Sequence, residues 1–283
     1  MMKQSSIKKL GTLYITATPI GNSDDISLRA IEVLRSTGIV ACEDTRVTGK
    51  LFVVHNIHST LIPYHDHNAA KIRPKLIKRL LNGQSVALVS DAGTPLISDP
   101  GFKLVRACIA EGINISPVPG ASAVLTALTV SGLPTDKFYF GGFLPHKTSA
   151  RINVLREIIN LNATLIFMES TKRLSTSLSD MFSILGNRHA TICRELTKRF
   201  EEVERNNLKE LESKYRENKA PKGEIMLVIE PPVGPAQIDF QDIDALLVIL
   251  LKHDSLKECI LKLSKISNVS RTVLYQRALH LKQ

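Results

Sequence analysis

Three turns rich in glycine and proline hold most of the residue types with which this chain could do chemistry. They are Thr18-Pro19-Ile20-Gly21-Asn22, the long Ser90-Asp91-Ala92-Gly93-Thr94-Pro95-Leu96-Ile97-Ser98-Asp99-Pro100-Gly101, and Val118-Pro119-Gly120-Ala121-Ser122-Ala123. Glycine lets a backbone approach a ligand closely, and proline fixes the course of a loop. Each turn follows an aliphatic run, which puts it at the carboxyl end of a strand, where open parallel sheets bind ligands. One such turn merely connects two elements. Three converging on one sheet edge, with Asp91 and Asp99 in the longest, predict a small-molecule pocket lined mainly by backbone groups. A second cluster, Glu43-Asp44-Thr45-Arg46, follows the aliphatic run 39–41 directly. Acids in that position mark a site, or else Asp44 or Thr45 only caps the next helix. His65-Asp66-His67 is a poor metal pair and fits better as loop histidines beside a strand end, so no metal site is expected. The sequence has no GxxxxGK[ST], no GxGxxG after a strand and no HExxH. That removes P-loop nucleoside triphosphatases and dinucleotide-type Rossmann binders, including the commonest kind of methyltransferase.

Composition narrows the partners. Of 283 residues, 37 are Lys or Arg and 27 are Asp or Glu, a net charge of +10. A basic balance favours a polyanionic partner, most often nucleic acid, over a merely solvated basic surface. There is no tryptophan and aromatics are 5%, which disfavours a base-stacking platform. With 43% hydrophobic and 23% charged residues, the chain is too apolar for disorder. Its longest aliphatic run, 245–251, is far short of a membrane span. Thr12, Tyr14, Thr16 and Thr18 interrupt the first apolar stretch, so a secretory signal is not expected. The four cysteines lie far apart with no CxxC, which fits a reducing, cytoplasmic setting.

The elements that must position these turns follow from periodicity. Short runs rich in Val, Ile, Leu and Thr predict strands at 12–17, 39–41, 60–63, 85–89 and 114–118. Helical spacing at 27–36 (Leu28, Ile31, Leu34) and 69–81 (Ile72, Leu76, Ile77, Leu80, with Lys and Arg opposite) falls between them. This alternation predicts an α/β domain with a largely parallel sheet over 1–120. A second α/β domain over 121–232 has strands at 138–143, 163–168, 190–194 and 224–229 and helices at 150–159, 174–185 and 208–217. Residues 231–237 read as a linker. The tail, 238–283, is helical. Ser255 and Glu258 form a capping box, 267–268 a break, Ser270 a cap, and 271–281 a last helix offering Arg271, Gln276 and Arg277. That pair of helices resembles a helix-turn-helix or, equally, a docking hairpin.

Taken in order, Ala17-Thr18-Pro19-Ile20-Gly21-Asn22, Cys42-Glu43-Asp44-Thr45-Arg46, residues 90–101, residues 118–123 and Ser131-Gly132-Leu133-Pro134-Thr135-Asp136 resemble a known family. It is the tetrapyrrole-methylase (class III) group of S-adenosylmethionine-dependent enzymes, in the branch that modifies small-subunit ribosomal RNA. Gly142-Phe143-Leu144-Pro145, Glu169-Ser170, Arg194-Glu195-Leu196-Thr197-Lys198 and Lys222-Gly223-Glu224 extend the likeness, which runs from about Gly11 to Glu230. Cys42 departs from the family's usual alanine, and Met168 stands where an aromatic residue is common. The resemblance implies two α/β domains with S-adenosylmethionine in the cleft between them, a homodimer, and a helix-turn-helix appendix. It implies 2′-O-methylation of a cytidine ribose in the decoding region of 16S rRNA, free or within the small subunit.

By position in the motifs, the resemblance assigns the cofactor to Pro19, Ala92, Gly93, Thr94, Ile97, Ser98, Ser122, Ala123, Met168, Leu196, Pro221, Gly223 and Glu224. Met168 and Leu196 read equally well as core, and Ser122 as a cap. Candidates for the base that takes the ribose proton are Asp44, Glu43 and His65, with Asp44 and Arg46 alternatively orienting the nucleotide. Arg46, Lys50, Lys147, Arg151, Lys172, Arg173, Arg194, Lys198 and Arg199 are each a solvated charge taken singly, and as a set they could track an RNA strand. Two other readings remain. One is a sister enzyme methylating a tetrapyrrole or a protein side chain. The other is a ligand-sensing DNA-binding regulator, which would need more charge on 271–281.

Overall fold

The computed structural model describes residues 9–217, 221–232, 240–251, 254–266 and 271–281. Five short strands, β1 (Thr12–Thr16), β2 (Ile39–Cys42), β3 (Thr60–Pro63), β4 (Val86–Leu88) and β5 (Asn114–Val118), form a sheet in the order β3-β2-β4-β1-β5. Every pairing in it is parallel, as the alternation of strands and helices requires. The sheet is covered on both faces. Leu34 of α1 (Leu28–Ser36) and Phe52 of α2 (Thr45–Val54) are buried on one side, Leu76 and Leu80 of α3 (Ala69–Leu81) and Leu104 of α4 (Phe102–Ala110) on the other. Chains leaving the neighbouring strands β1 and β4 thus turn to opposite faces, which opens a crevice at their carboxyl ends.

α1 departs from its expected face. Its first turn is closed by Ser27, which accepts from the Ala30 N–H at 3.1 Å, and that cap fixes the helix rotation so that Ala30 and Leu34 are buried while Leu28 is 87% exposed.

The second sheet follows the order β6-β7-β10-β8-β9, from β6 (Phe138–Phe143), β7 (Thr164–Ser170), β8 (His189–Arg194), β9 (Glu202–Asn207) and β10 (Glu224–Ile229). Only β6 and β7 run parallel. β10 lies at its centre, and its alternate residues serve two cores. Ile225, Leu227 and Ile229 face α6 (Thr148–Ile158), α7 (Leu174–Leu185) and α8 (Leu208–Glu217), whereas Met226 and Val228 meet α5 (Ala123–Ser131). Ile20, from the turn after β1, is buried in that second cluster. A side chain of the first sheet's loop thereby becomes part of the second sheet's core.

The tail consists of α9 (Phe240–Leu250), α10 (Leu256–Ile266) and α11 (Arg271–His280) around a cluster of its own that includes Ile243, Leu247, Leu263 and Leu274. The capping box forms: Ser255 N–H donates to Glu258 Oε2 at 3.0 Å, and Glu258 N–H to Ser255 Oγ at 3.4 Å. Arg277 is held by Asp244 of α9 at 2.6 Å, which takes it from the face expected to be open. The break at 267–268, Ser270 and most of the linker (233–237) lie outside the described residues. No helix of the described residues is long and apolar enough to cross a membrane.

Arg151 corrects one sequence expectation. Placed among the RNA contacts, it is instead 2% exposed. Its Nε donates to Asp180 Oδ2 on α7 at 2.7 Å, and Nη1 donates to the carbonyls of Pro145 and His146. Its spacing within α6 turns it inward, where it ties that helix to α7. Loss of one partner from a buried pair strands the other charge. Arg151→Ala should therefore cost about 3–5 kcal/mol of stability, read from the midpoint shift in urea unfolding, and Arg151→Met/Asp180→Leu together should cost less than Arg151→Ala alone.

Candidate active site

The turn after β1 is the meeting point of both sheets. Thr18 and Gly93 exchange backbone hydrogen bonds of 2.9 and 3.0 Å, which joins it to the loop after β4. Gly93 sits at φ +77°, a conformation in which a Cβ is strained. Leu96 (φ +74°) and Ser98 (φ +66°) share the left-handed region without glycine's freedom, so this loop stores backbone strain. On the other side, Asn22 N–H donates to Thr197 Oγ1 at 3.0 Å. Gly21 has no room for a side chain, since a Cβ there would stand 2.9 Å from the Leu196 carbonyl oxygen. The partner turn is strained as well, with Glu195 at φ +52° and Thr197 at φ +65°. An ion triad holds it: Lys198 Nζ reaches Glu195 Oε1 at 3.0 Å and Glu224 Oε2 at 3.1 Å, while Glu195 Oε1 accepts the Glu224 N–H at 2.9 Å.

A cavity of about 330 Å³ opens beside this seam, with Ile20, Ala123, Met168, Leu196, Met226 and Gly223 among its walls. Its floor carries Glu169, whose buried carboxylate accepts from Ser170 N–H (2.7 Å) and Ser177 Oγ (2.5 Å) and pairs with Arg173 Nη2 (2.6 Å). A second, more open cavity of about 470 Å³ shares Ile20 and Glu224 with the first and adds Pro19, Lys50, Asp91 and Ala92. A third basin, of about 480 Å³, gathers Glu43, Asp44, Arg46, His65, His67 and Asp91 from the loops after β2, β3 and β4.

Charge in the third basin is unevenly distributed. Burial pushes the Glu43 carboxyl up, and Asp91, Asp99, Asp66 and Asp44 push it in the same direction. Burial raises Asp99 too, with Asp91 adding to the effect against a hydrogen bond from Ser90. Asp44 goes the other way, down to about 2, because Arg46 hydrogen-bonds it through both side chain and backbone. Asp44 also caps α2, so both readings of the Glu43–Arg46 cluster hold in part. His65 is committed. Asn68 Oδ1 accepts the His65 backbone N–H, which turns the amide nitrogen toward His65 Nε2 at 3.1 Å, and Nδ1 is buried without a partner.

Of the thirteen residues the motifs assign to a cofactor, Ala123, Met168, Leu196, Gly223 and Glu224 line the first cavity. Pro19 and Ala92 line the second, together with Glu224. Gly93 shapes the seam, and Thr94 Oγ1 donates to the Ala121 carbonyl at 3.2 Å across it. Ser122 accepts from the Leu125 N–H as the cap of α5. Ile97, Ser98 and Pro221 line neither cavity. Several of the expected RNA cations serve internal networks. Arg173 is spent on Glu169, Ser170 Oγ and the Leu144 carbonyl, Arg194 on Glu202 and the Lys222 carbonyl, and Lys198 on the triad, whereas Arg46 pairs with Asp44 and stays exposed to solvent. Lys50, Lys147, Lys172 and Arg199 are exposed. Asp91, marked in the sequence only as an acid of the long loop, has a structural partner that sequence reasoning did not foresee. Its Oδ1 accepts the Asp44 N–H at 2.9 Å across 47 positions of sequence, a contact with no local signature beyond its place at the head of the long loop.

The sequence pattern of the tetrapyrrole (corrin/porphyrin) methylases matches residues 12–212. The chain belongs to that family. It is 48% identical over 271 residues to the ribosomal RNA small subunit methyltransferase I of Mesorhizobium japonicum, covering 95% of this chain and 92% of that one. It is 43% identical over 280 residues to the protein of the same name from Escherichia coli O157:H7, covering 98% and 97%. The resemblance carried by the motifs is thus borne out. Solved structures share the fold at much lower identity. Cobalt precorrin-4 methyltransferase aligns with a TM-score of 0.60 at 17% identity, covering 77% of this chain and 94% of its own. Uroporphyrin-III C-methyltransferase from Thermus thermophilus, complexed with S-adenosyl homocysteine, gives 0.54 at 17%, covering 77% and 97%.

The acidic basin predicts a titration. Followed by the ¹³C shift of its carboxyl carbon, Glu43 should titrate above the ordinary glutamate value. In Asp91→Asn its midpoint should move down, because a neighbouring negative charge is gone while the acceptor for the Asp44 N–H remains.

Proposed function

We propose that the chain is an S-adenosylmethionine-dependent methyltransferase of the small ribosomal subunit that methylates the 2′ oxygen of a cytidine in the decoding region of 16S rRNA. The observation that carries this reading is the 48% identity over 95% of the chain to a protein named for that class of reaction. The net charge of +10 agrees with an RNA partner.

The residues at the seam fit such a donor. A cavity of about 330 Å³ falls within the roughly 300–1,000 Å³ of small-molecule sites. Its apolar walls suit an adenine and an alkyl chain. The tight turn at Gly223 brings backbone polar groups to its rim with no side chain between, and Gly21 does the same for the adjoining cavity. When bound, S-adenosylmethionine supplies an electrophilic methyl group on a sulfonium sulfur. The chain's residues then have two tasks: to hold a ribose 2′ oxygen in line with that group and to take its proton. Ile20, Met168, Leu196 and Met226 exclude water from the first cavity, which favours transfer in a fixed geometry.

Among the three candidate bases, Glu43 is favoured. Its raised pKa makes it the stronger proton acceptor. Asp44, at about 2, is too weak a base, and both ring nitrogens of His65 are taken or buried. Asp44 instead holds Arg46 over the basin, where the guanidinium orients the nucleotide through its phosphate. The homodimer implied by the resemblance and the cytoplasmic setting read from the scattered cysteines belong to the same reading. Exposed Phe102 and Ile109 of α4 and Leu125 of α5 offer apolar surface for a second copy.

The test is transfer of labelled methyl groups to small subunits from a strain lacking the modification, with the ribose mapped. No incorporation by the intact chain would end the reading. Glu43→Gln should lower turnover by about 10²–10⁴-fold, and Asp44→Ala should abolish methylation, each with an unchanged far-ultraviolet circular dichroism spectrum. Activity should rise with pH as Glu43 loses its proton, with a midpoint above the ordinary glutamate value. Gly21→Ala should weaken binding of S-adenosylhomocysteine tenfold or more in calorimetry, because the Leu196 carbonyl cannot yield to a Cβ.

A further inference from the structure

Several of the cations that the motifs offer to a polyanion are spent on internal partners: Arg151 is buried, and Arg173, Arg194 and Lys198 are bonded to carboxylates or carbonyls. Those left exposed, Arg46, Lys50, Lys147, Lys172 and Arg199, are scattered over several elements. α3 is different. In 13 residues it carries Lys71, Arg73, Lys75, Lys78 and Arg79 and no acid. Arg73 turns inward beside the Tyr64 hydroxyl. Lys71, Lys75, Lys78 and Arg79 are exposed, and none of the ion pairs among the described residues involves them.

Their spacing aligns them. Lys71, Lys75 and Lys78 stand at i, i+4 and i+7, one stripe along the helix, with Arg79 on its flank. At 1.5 Å per residue the stripe is about 10 Å long. Leu76 and Leu80, fully buried on the opposite side, hold it facing out. Left alone, this arrangement is unfavourable twice over. Like charges at i, i+4 repel, and Lys71 lies in the first turn, where the helix dipole disfavours a cation. A bound polyanion relieves both.

The position of the stripe is as telling as its charge. α3 begins at Ala69, just past the turn whose Pro63, His65 and His67 line the basin of Glu43 and Arg46. β3, which precedes it, is an edge strand. The stripe therefore starts beside the candidate base and runs away from it along an open flank of the first sheet.

We propose that the Lys71–Lys75–Lys78 face of α3 receives the phosphodiester backbone of the RNA substrate and leads the strand into the acidic basin. This rests on the reading of the chain as an RNA methyltransferase. The test uses the full chain and its triple variant K71A/K75A/K78A, none of whose altered residues touches the cavities. Equilibrium binding to unmodified small subunits, and to a short RNA hairpin, is measured across a salt series. Each phosphate contact to a single strand contributes a slope of about −0.7 to log K against log salt, so the slope should shrink by about 2 for three contacts. KM for subunits should rise tenfold or more with kcat little changed, and the calorimetric affinity for S-adenosylhomocysteine should stay the same. An unchanged slope and an unchanged KM would overturn the proposal. So would binding of the parent chain to phosphatidylserine vesicles that the triple variant loses while RNA binding is retained, since the face would then belong to a lipid surface. If the parent chain binds the hairpin with the steeper slope yet methylates no subunit, the enzymatic reading fails and the basic track stands.

Discussion

Two backbones approach each other at Gly21 and Leu196 more closely than any side chain would permit, and the remaining architecture is arranged to keep them there. The turn after β1 is gripped from one side by the Thr18–Gly93 exchange and from the other by Thr197. Ile20, carried on the same turn, is buried in the core of the second sheet. Four non-glycine residues of the gripping loops, Leu96, Ser98, Glu195 and Thr197, sit at positive φ. Such conformations persist only where surrounding contacts over-determine them. Here the contacts are a lysine bridging two carboxylates and a serial set of backbone bonds. The cavity walls belong to the seam itself, so the pocket's shape depends on how the two sheets are held together.

The acidic basin shows a second economy. Asp91 lies close enough to Glu43 and Asp99 to raise the proton affinity of both, yet each loop that brings these acids together also has a structural role. Asp91 spends an oxygen on the Asp44 N–H, and Asp44 spends its own on the first turn of α2. Burial and the neighbouring carboxylates make Glu43 the stronger base, while hydrogen bonds from Arg46 make Asp44 the weaker one. Neighbouring residues of one tetrapeptide thereby acquire different chemistry from their surroundings alone.

Much of this was legible in the sequence, for identifiable reasons. β10 reads as an unbroken apolar run because both of its faces are buried. The parallel sheet followed from the alternation of short aliphatic runs with helical stretches. β9 was not legible: Glu202–Asn207 is an edge strand whose charges and amides carry no alternation, and charged edges of this kind discourage pairing with other chains. α4 was obscured because Phe102 and Ile109 are exposed and blur its apolar stripe. The cofactor turns were found by composition, since glycine and proline announce themselves. The Asp91–Asp44 contact and the inward turn of Arg151 were not, because each joins segments far apart in sequence. Charge type says that a residue is basic; only packing says whether the charge is free.

The helical tail has a core of its own. Its buried residues, Ile243, Leu247, Cys259, Ile260, Leu263, Leu274 and Ala278, close on one another and share no member with the clusters under either sheet. A core that is complete in itself melts on its own schedule. No single free energy of unfolding then describes the whole polypeptide, and a substitution in the tail can loosen that part while the methylase body stays as cooperative as before.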